Sequence, residues 1–138
     1  MGGRAVSEAA GISLWRDVSR FMEICADPPT PDRLAQLRAT LQEMGRSGGL
    51  GGTFFICLLG EFEVAAGPLE NARALCAIGF SIAERTTEHN HLPALHLTAA
   101  RAADDPAERA RHLEAAAACA QRLGSAALGA RIEAFRSA

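Results

Sequence analysis

The sequence predicts an all-α fold of about seven helices in a single domain, residues 1–138, and three observations favour it. Alanine, the strongest helix former, supplies 29 of the 138 residues. Apolar residues recur every three or four positions along most of the chain, and no segment alternates between apolar and polar residues as a half-buried strand does. The turns between these segments are short, which favours packing of consecutive helices in antiparallel pairs.

Capping signals divide the chain into seven predicted helices. Most begin near a capping side chain or a proline, and most end near a glycine or a proline-containing turn. Thr30 followed by Pro31 is the clearest start, and Gly124 followed by Ser125 separates the last two helices. The predicted helical ranges are 6–25, 31–44, 53–66, 68–86, 91–103, 106–123 and 125–137.

The last predicted helix carries an apolar stripe. Leu128, Ile132 and Phe135 are spaced by four and three residues, so they share one helix face. We expect this face to pack on the fifth and sixth helices and to cover their apolar ends. The alternative is contact with a second copy of the chain, because an exposed apolar stripe marks an interface.

The chain contains an internal repeat with an offset of 38 residues. Gly67–Arg73 aligns with Asp105–Arg111, and after a slip of one residue Ala83–Arg85 aligns with Ala120–Arg122. A helix–turn–helix unit with such a period is typical of an α-solenoid, although an ordinary bundle rich in alanine is the alternative. Small side chains allow two helices to cross closely within each pair. Ala102 is not expected at such a crossing and is predicted to lie nearer solvent. The expected crossing residues are Gly60, Ala72 and Gly79 in the first pair and Thr98, Ala110 and Ala117 in the second.

Part of this repeat resembles the tetratricopeptide signature. Leu59-Gly60 stands in the first helix, Gly67 at the turn and Ala72 in the second helix, as in that family. The resemblance implies a short α-solenoid of tetratricopeptide-like (TPR-like) antiparallel helix pairs. The first helices of such pairs line a groove.

A longer string extends the resemblance over most of residues 9–136. It includes Leu34 to Gly45, Phe54 to Glu61, Ala65 to Gly67 and Ala83 to Thr86. The string resembles the C-terminal TPR-like region of large bacterial regulatory ATPases. Those proteins join such a region to a signal-transduction ATPase, and often to a nucleotide-cyclase or LuxR-type DNA-binding domain. The ATPase, cyclase and DNA-binding modules are not among these 138 residues, so the resemblance implies a bacterial regulatory role without their activities.

The sequence predicts no enzyme, and no catalytic, cofactor-binding or metal-binding residue. The chain has no lysine, so the glycine-rich loop 46–52 cannot supply the lysine of a phosphate-binding P-loop. Three of the four histidines, His89, His91 and His96, lie close together in the sequence, but they have no nearby cysteine with which to form a zinc motif. The four cysteines are widely spaced and fall within apolar helical patterns, which indicates buried structural residues.

The remaining prediction is a surface that binds a protein or peptide partner, or relays a signal. The residues expected to be exposed in its groove are Glu61, Glu63, His96 and Arg101. One alternative is a self-associating structural domain that forms a homodimer. The other is a small-molecule sensor with a pocket between helices.

Charge and hydropathy bear on partners and compartment. The 14 basic residues are scattered among 16 acidic ones, so we expect no direct binding of nucleic acid. No apolar run approaches the ~20 residues of a membrane helix, and the first residues contain no apolar core of a secretory signal. Unpaired cysteines fit a reducing compartment, so a cytoplasmic location is expected.

Overall fold

The computed structural model describes residues 15–46 and 52–137, and every regular element in this part of the chain is an α-helix. The predicted all-α fold is therefore confirmed for the described residues. The predicted helical residues 6–14 and most of the predicted loop 46–52 lie outside them. The helices are α1 (15–25), α2 (Pro31–Arg46), α3 (Gly52–Ala66), α4 (Leu69–Thr86), α5 (Leu92–Ala102), α6 (Pro106–Leu123) and α7 (Ala126–Ser137).

The helix ends follow the capping signals of the sequence. The hydroxyl oxygens of Thr30 and Ser125 each accept a hydrogen bond from the backbone N–H three residues later, at 3.2 and 3.3 Å. Asp105 accepts from the backbone N–H two residues later, at 3.2 Å. Gly124 closes α6 with a φ of +68°, a left-handed conformation that glycine adopts without steric cost. These contacts satisfy helix-end groups that otherwise lack partners.

The core lies along α3 and α5, which each contact several other helices. α3 packs against α2, α4 and α5, and α5 packs against α3, α4, α6 and α7. At the N-terminal end, the ring of Phe21 in α1 meets that of Phe55 in α3 edge to face, with 5.1 Å between centroids. Buried apolar residues of the core include Leu34, Leu37, Met44, Phe62, Ile56, Leu95, Leu97, Ala116 and Ile132.

Two glycines mark the closest approaches between these helices. A Cβ atom on Gly79 of α4 would lie 2.7 Å from a methyl carbon of Leu95 and 3.3 Å from one of Ile56. A Cβ atom on Gly60 of α3 would lie 3.2 Å from the methyl carbon of Thr98. Both glycines are close-approach residues, as predicted. However, Gly60 and Thr98 meet each other between α3 and α5, although the sequence placed them in separate helix pairs.

The predicted repeat offset of 38 residues is wrong by one for α4 and α6. Ala102 is completely buried and Ala110 is exposed, the reverse of the prediction. The exposure of Ala110 follows from the helix starts, because α4 begins one residue after Pro68, whereas α6 begins at Pro106 itself. One residue of offset rotates a position by about 100° around the helix. The buried residues match instead at 37, as Cys76 with Leu113 and Gly79 with Ala116, which is the offset already predicted for Ala83 and Ala120.

The apolar stripe of α7 packs on α5 and α6, which confirms that prediction. Ile132 is almost fully buried against side chains of both helices, and Leu128 and Phe135 flank it partly buried. The guanidinium carbon of Arg109 in α6 lies 4.4 Å from the ring centroid of Phe135, in a cation–π contact. The apolar stripe of α7 therefore packs against helices of the same chain.

Candidate interaction surface

A buried ion pair joins α2 to α3. Arg38 donates from Nε to Oε1 of Glu63 at 2.6 Å and from Nη2 to Oε2 at 2.7 Å. Glu63 is only 2% exposed, so its predicted exposure in a groove is wrong. A buried carboxylate needs a charged partner, and the planar guanidinium supplies two parallel hydrogen bonds to it.

The position of Glu63 on the helix explains its burial. Glu63 lies four residues after Leu59, on the same apolar face of α3. Glu61 lies between them, two residues after Leu59 and two before Glu63. It is therefore about 200° around the helix from either residue, on the opposite side. An acidic residue on an apolar stripe was the sequence signal for a buried pair, but the sequence did not identify Arg38 as its partner.

Gly67 leaves room for the buried carboxylate. A Cβ atom at this position would meet an oxygen of the Glu63 carboxylate, and it would lie 2.7 Å from a methyl carbon of Leu34. The turn glycine that resembles the TPR signature is therefore required here for space beside the ion pair.

A cleft of about 280 Å³ opens between α2 and α4 above α3. We call it the α2–α4 cleft. Its apolar lining includes Leu75 and Ile78, and the side chain of Ile78 is half exposed at 52%. The Arg38–Glu63 pair and Asn71 form its polar part. The complete lining is Arg38, Leu59, Glu63, Asn71, Ala74, Leu75 and Ile78.

Glu61 lies on the other side of α3 and is partly exposed. Its carboxylate forms an ion pair with α7. Nη2 of Arg131 in α7 donates to Oε1 of Glu61 at 2.9 Å. Arg101, the other charged groove candidate, is partly exposed and makes no hydrogen bond or ion pair with the described residues. The structure therefore does not bring the four predicted groove residues together on one surface.

His96 faces neighbouring helices. Its Nδ1 lies 3.0 Å from Nδ1 of His112 in α6, and its ring lies 4.6 Å from that of Phe80 in α4, between centroids. Burial and, to a smaller extent, the nearby His112 together lower the pKa of His96 to about 4. His96 is partly exposed, but its ring packs against Phe80 and His112 between helices instead of standing free in a groove. The sequence missed His112 as a partner because the two residues lie on different helices.

The cysteines behave as structural residues. Cys57, Cys76 and Cys119 are buried, as predicted, and Cys25 is partly buried. Burial raises the pKa of Cys57 to about 12 and that of Cys76 to about 11, so both stay protonated at neutral pH. Among residues 15–46 and 52–137, no group of three or more potential ligands could hold a metal ion.

Comparisons with known proteins add no relative. No protein-family model, curated protein or solved structure matches this chain. No helix in the described part of the chain combines the length and apolar character needed to cross a membrane.

Proposed function

We propose that the helices form a short α-solenoid of TPR-like antiparallel pairs. The helices α3, α5 and α7 contact one another in turn, since α3 packs on α5 and α5 packs on α7. The intervening helices α4 and α6 each pack against both of their sequence neighbours. Such contacts are expected when repeated units stack in a row. The matching buried positions of α4 and α6 support the same arrangement.

We infer that the domain is a non-enzymatic module that binds a protein partner, and the α2–α4 cleft carries this inference. Its apolar floor is open to solvent beside Ile78, and apolar surface bordered by polar groups marks interaction sites. At about 280 Å³ it can hold one or two apolar side chains. Small-molecule sites usually enclose most of their ligand, whereas this cleft is largely open to solvent, which favours an apolar anchor of a polypeptide.

The polar part of the cleft suits a peptide backbone. Arg38 uses Nε and Nη2 for Glu63, so the hydrogens of its other terminal nitrogen remain available. The side-chain amide of Asn71 can both donate and accept. Because Glu63 already neutralises Arg38, a neutral amide fits better here than a second carboxylate. Glu61 and Arg101 remain proposed contacts for the same partner elsewhere on the surface.

Site-specific photo-crosslinking tests this function. A photoreactive residue at position 78 should capture a defined protein, whereas one at exposed Ala118 of α6 should not. The captured protein is then purified, and its affinity is measured by calorimetry for the wild type and for Ile78→Glu. We expect at least a tenfold loss of affinity, because the charge would lie in the apolar cleft. Equal capture at both positions, or unchanged affinity, would exclude the cleft as the binding site.

We also propose a cytoplasmic, bacterial setting in transcriptional regulation or signal transduction. The residue strings that resemble regulatory ATPases support it, as do the free cysteines of the described residues, which fit a reducing compartment. In such a protein the helical region would position a partner for an attached signalling domain.

Self-association is a second candidate, and α1 favours it. Trp15 is 72% exposed, and Met22, seven residues later on the same face, is 43% exposed. Large exposed apolar side chains on one face suit contact with a second copy. Sedimentation over a range of concentrations tests this idea. A concentration-dependent dimer that Trp15→Ser abolishes would support it, and a monomer at every concentration would exclude it.

A further inference from the structure

His96 and His112, which we call the imidazole pair, lie where α4, α5 and α6 meet. The two Nδ1 atoms are 3.0 Å apart, a hydrogen-bond distance. The ring of Phe80 in α4 lies parallel to that of His112, with 6.0 Å between centroids, and it also contacts His96. On the far side of His112, Nε2 is 3.9 Å from a carboxylate oxygen of Glu108.

The hydrogen bond within the pair restricts the protons that the two rings carry. It requires one N–H and one lone pair, so the neutral rings must be different tautomers. The carboxylate of Glu108 favours an N–H on the Nε2 atom that faces it. His112 then has a lone pair on Nδ1, and His96 must donate from its own Nδ1.

We propose that the imidazole pair is a proton-responsive contact between α5 and α6, whose hydrogen bond reverses direction on the first proton and breaks on the second. When a proton from solvent binds Nε2 of His96, the Nδ1 proton of His96 moves along the hydrogen bond to Nδ1 of His112. The positive charge then resides on His112 beside Glu108. The bond is retained, with His112 as its donor.

A second proton removes the last lone pair between the rings. Two N–H groups and two positive charges would then lie 3.0 Å apart, so the contact between α5 and α6 opens. The groups around His96 oppose this step. His112 of α6 is the ionisable group that acts on it, while α4 presents the uncharged ring of Phe80. Together with burial, His112 lowers the pKa of His96 to about 4. The contact therefore persists near neutral pH and opens only when the pH falls to about 4.

Nitrogen NMR of the histidine rings in the full chain tests the proposal. At about pH 8 we expect the Nδ1–H tautomer for His96, the Nε2–H tautomer for His112, and a coupling between their Nδ1 atoms across the hydrogen bond. On acidification His112 should become doubly protonated before His96, with the coupling retained until His96 is protonated. An Nε2–H tautomer of His96 at pH 8, or protonation of His96 first, would overturn the proposal.

A pair of carboxylate variants tests the role of Glu108. Glu108→Gln should weaken the preference of His112 for the Nε2–H tautomer, because the carboxylate that faces Nε2 is then neutral. Glu114→Gln removes an exposed carboxylate of the same helix and should leave the histidine spectra unchanged. Both variants should keep the wild-type unfolding midpoint at pH 8, which separates a proton-positioning role from a structural one. Unchanged histidine spectra in Glu108→Gln would contradict the assignment.

Discussion

Arg38 holds both carboxylate oxygens of Glu63 across the α2–α3 contact, at 2.6 and 2.7 Å. The arrangement is asymmetric, because the carboxylate is buried whereas the side chain of Arg38 is 41% exposed. The α2–α4 cleft shares this pair as part of its lining. Stability and the proposed binding surface therefore depend on the same contact.

Removing the guanidinium should destabilise the fold. Arg38→Met leaves the Glu63 carboxylate buried without a partner, and we expect a loss of about 2–3 kcal/mol because Arg38 is partly exposed. The double variant Arg38→Met/Glu63→Met should recover most of the loss, since no buried charge then remains. Urea unfolding provides the measurement. Glu61→Gln, which removes an exposed pair with Arg131, is the control and should cost less than about 1 kcal/mol. A similar cost for both single variants would contradict the prediction.

Two glycine-to-alanine changes separate helix propensity from packing. Gly129 lies inside α7, and a Cβ atom added there would meet no neighbouring side chain within 4 Å, so Gly129→Ala should stabilise the protein by about 0.5–1 kcal/mol. Gly79→Ala offers the same gain in helix propensity, but the added Cβ atom would push the side chains of Leu95 and Ile56 away from α4. We therefore expect a net loss of about 1–3 kcal/mol. Thermal unfolding of both variants gives the comparison. Stabilisation by both would show that α4 and α5 are not in close contact.

Two alanines test the orientation of α5 and α6 about their axes. Ala102 is completely buried and Ala110 is exposed. Ala102→Leu should therefore overpack the core and cost about 1–3 kcal/mol, whereas Ala110→Leu should change the free energy of unfolding by less than about 0.5 kcal/mol. Denaturant midpoints measure both effects. The reverse order of stabilities would contradict the burial of Ala102 and the exposure of Ala110.

His96 should make stability depend on pH. Its pKa is lowered to about 4 in the folded chain, whereas an unfolded histidine has a pKa of ~6.5. Between these values the unfolded state binds more protons, so the free energy of unfolding falls as the pH is lowered from about 6.5 to about 4. We expect His96 to account for about 1–2 kcal/mol of this fall. This contribution is smaller than ~1.4 kcal/mol for each unit of the pKa shift, because the ring is only partly buried and solvent screens its charge.

The measurement for His96 is the unfolding free energy across this pH range for wild type and His96→Gln. The difference between the two should shrink as the pH falls. His89→Gln changes an exposed histidine and serves as the control. A constant difference between wild type and His96→Gln would show that His96 does not contribute.

The sequence determined the helices because their signals are local. A cap such as Thr30 or Asp105 acts within three residues, and the apolar spacing along each segment is a property of that segment alone. The stripe of α7 was also predictable, because its apolar residues already defined one face. The helix ranges and the packing of that face could therefore be predicted without a structure.

Only the tertiary structure decided which residues beside each apolar stripe are buried. Glu61 and Glu63 are two residues apart, yet one is partly exposed and the other pairs with Arg38 in the interior. His96 and His112 became partners because α5 and α6 bring them together from different helices. A rotation of about 100° for each residue of register exchanges buried and exposed positions. That rotation is set by the neighbouring helices, so these contacts could not be predicted from spacing along the chain.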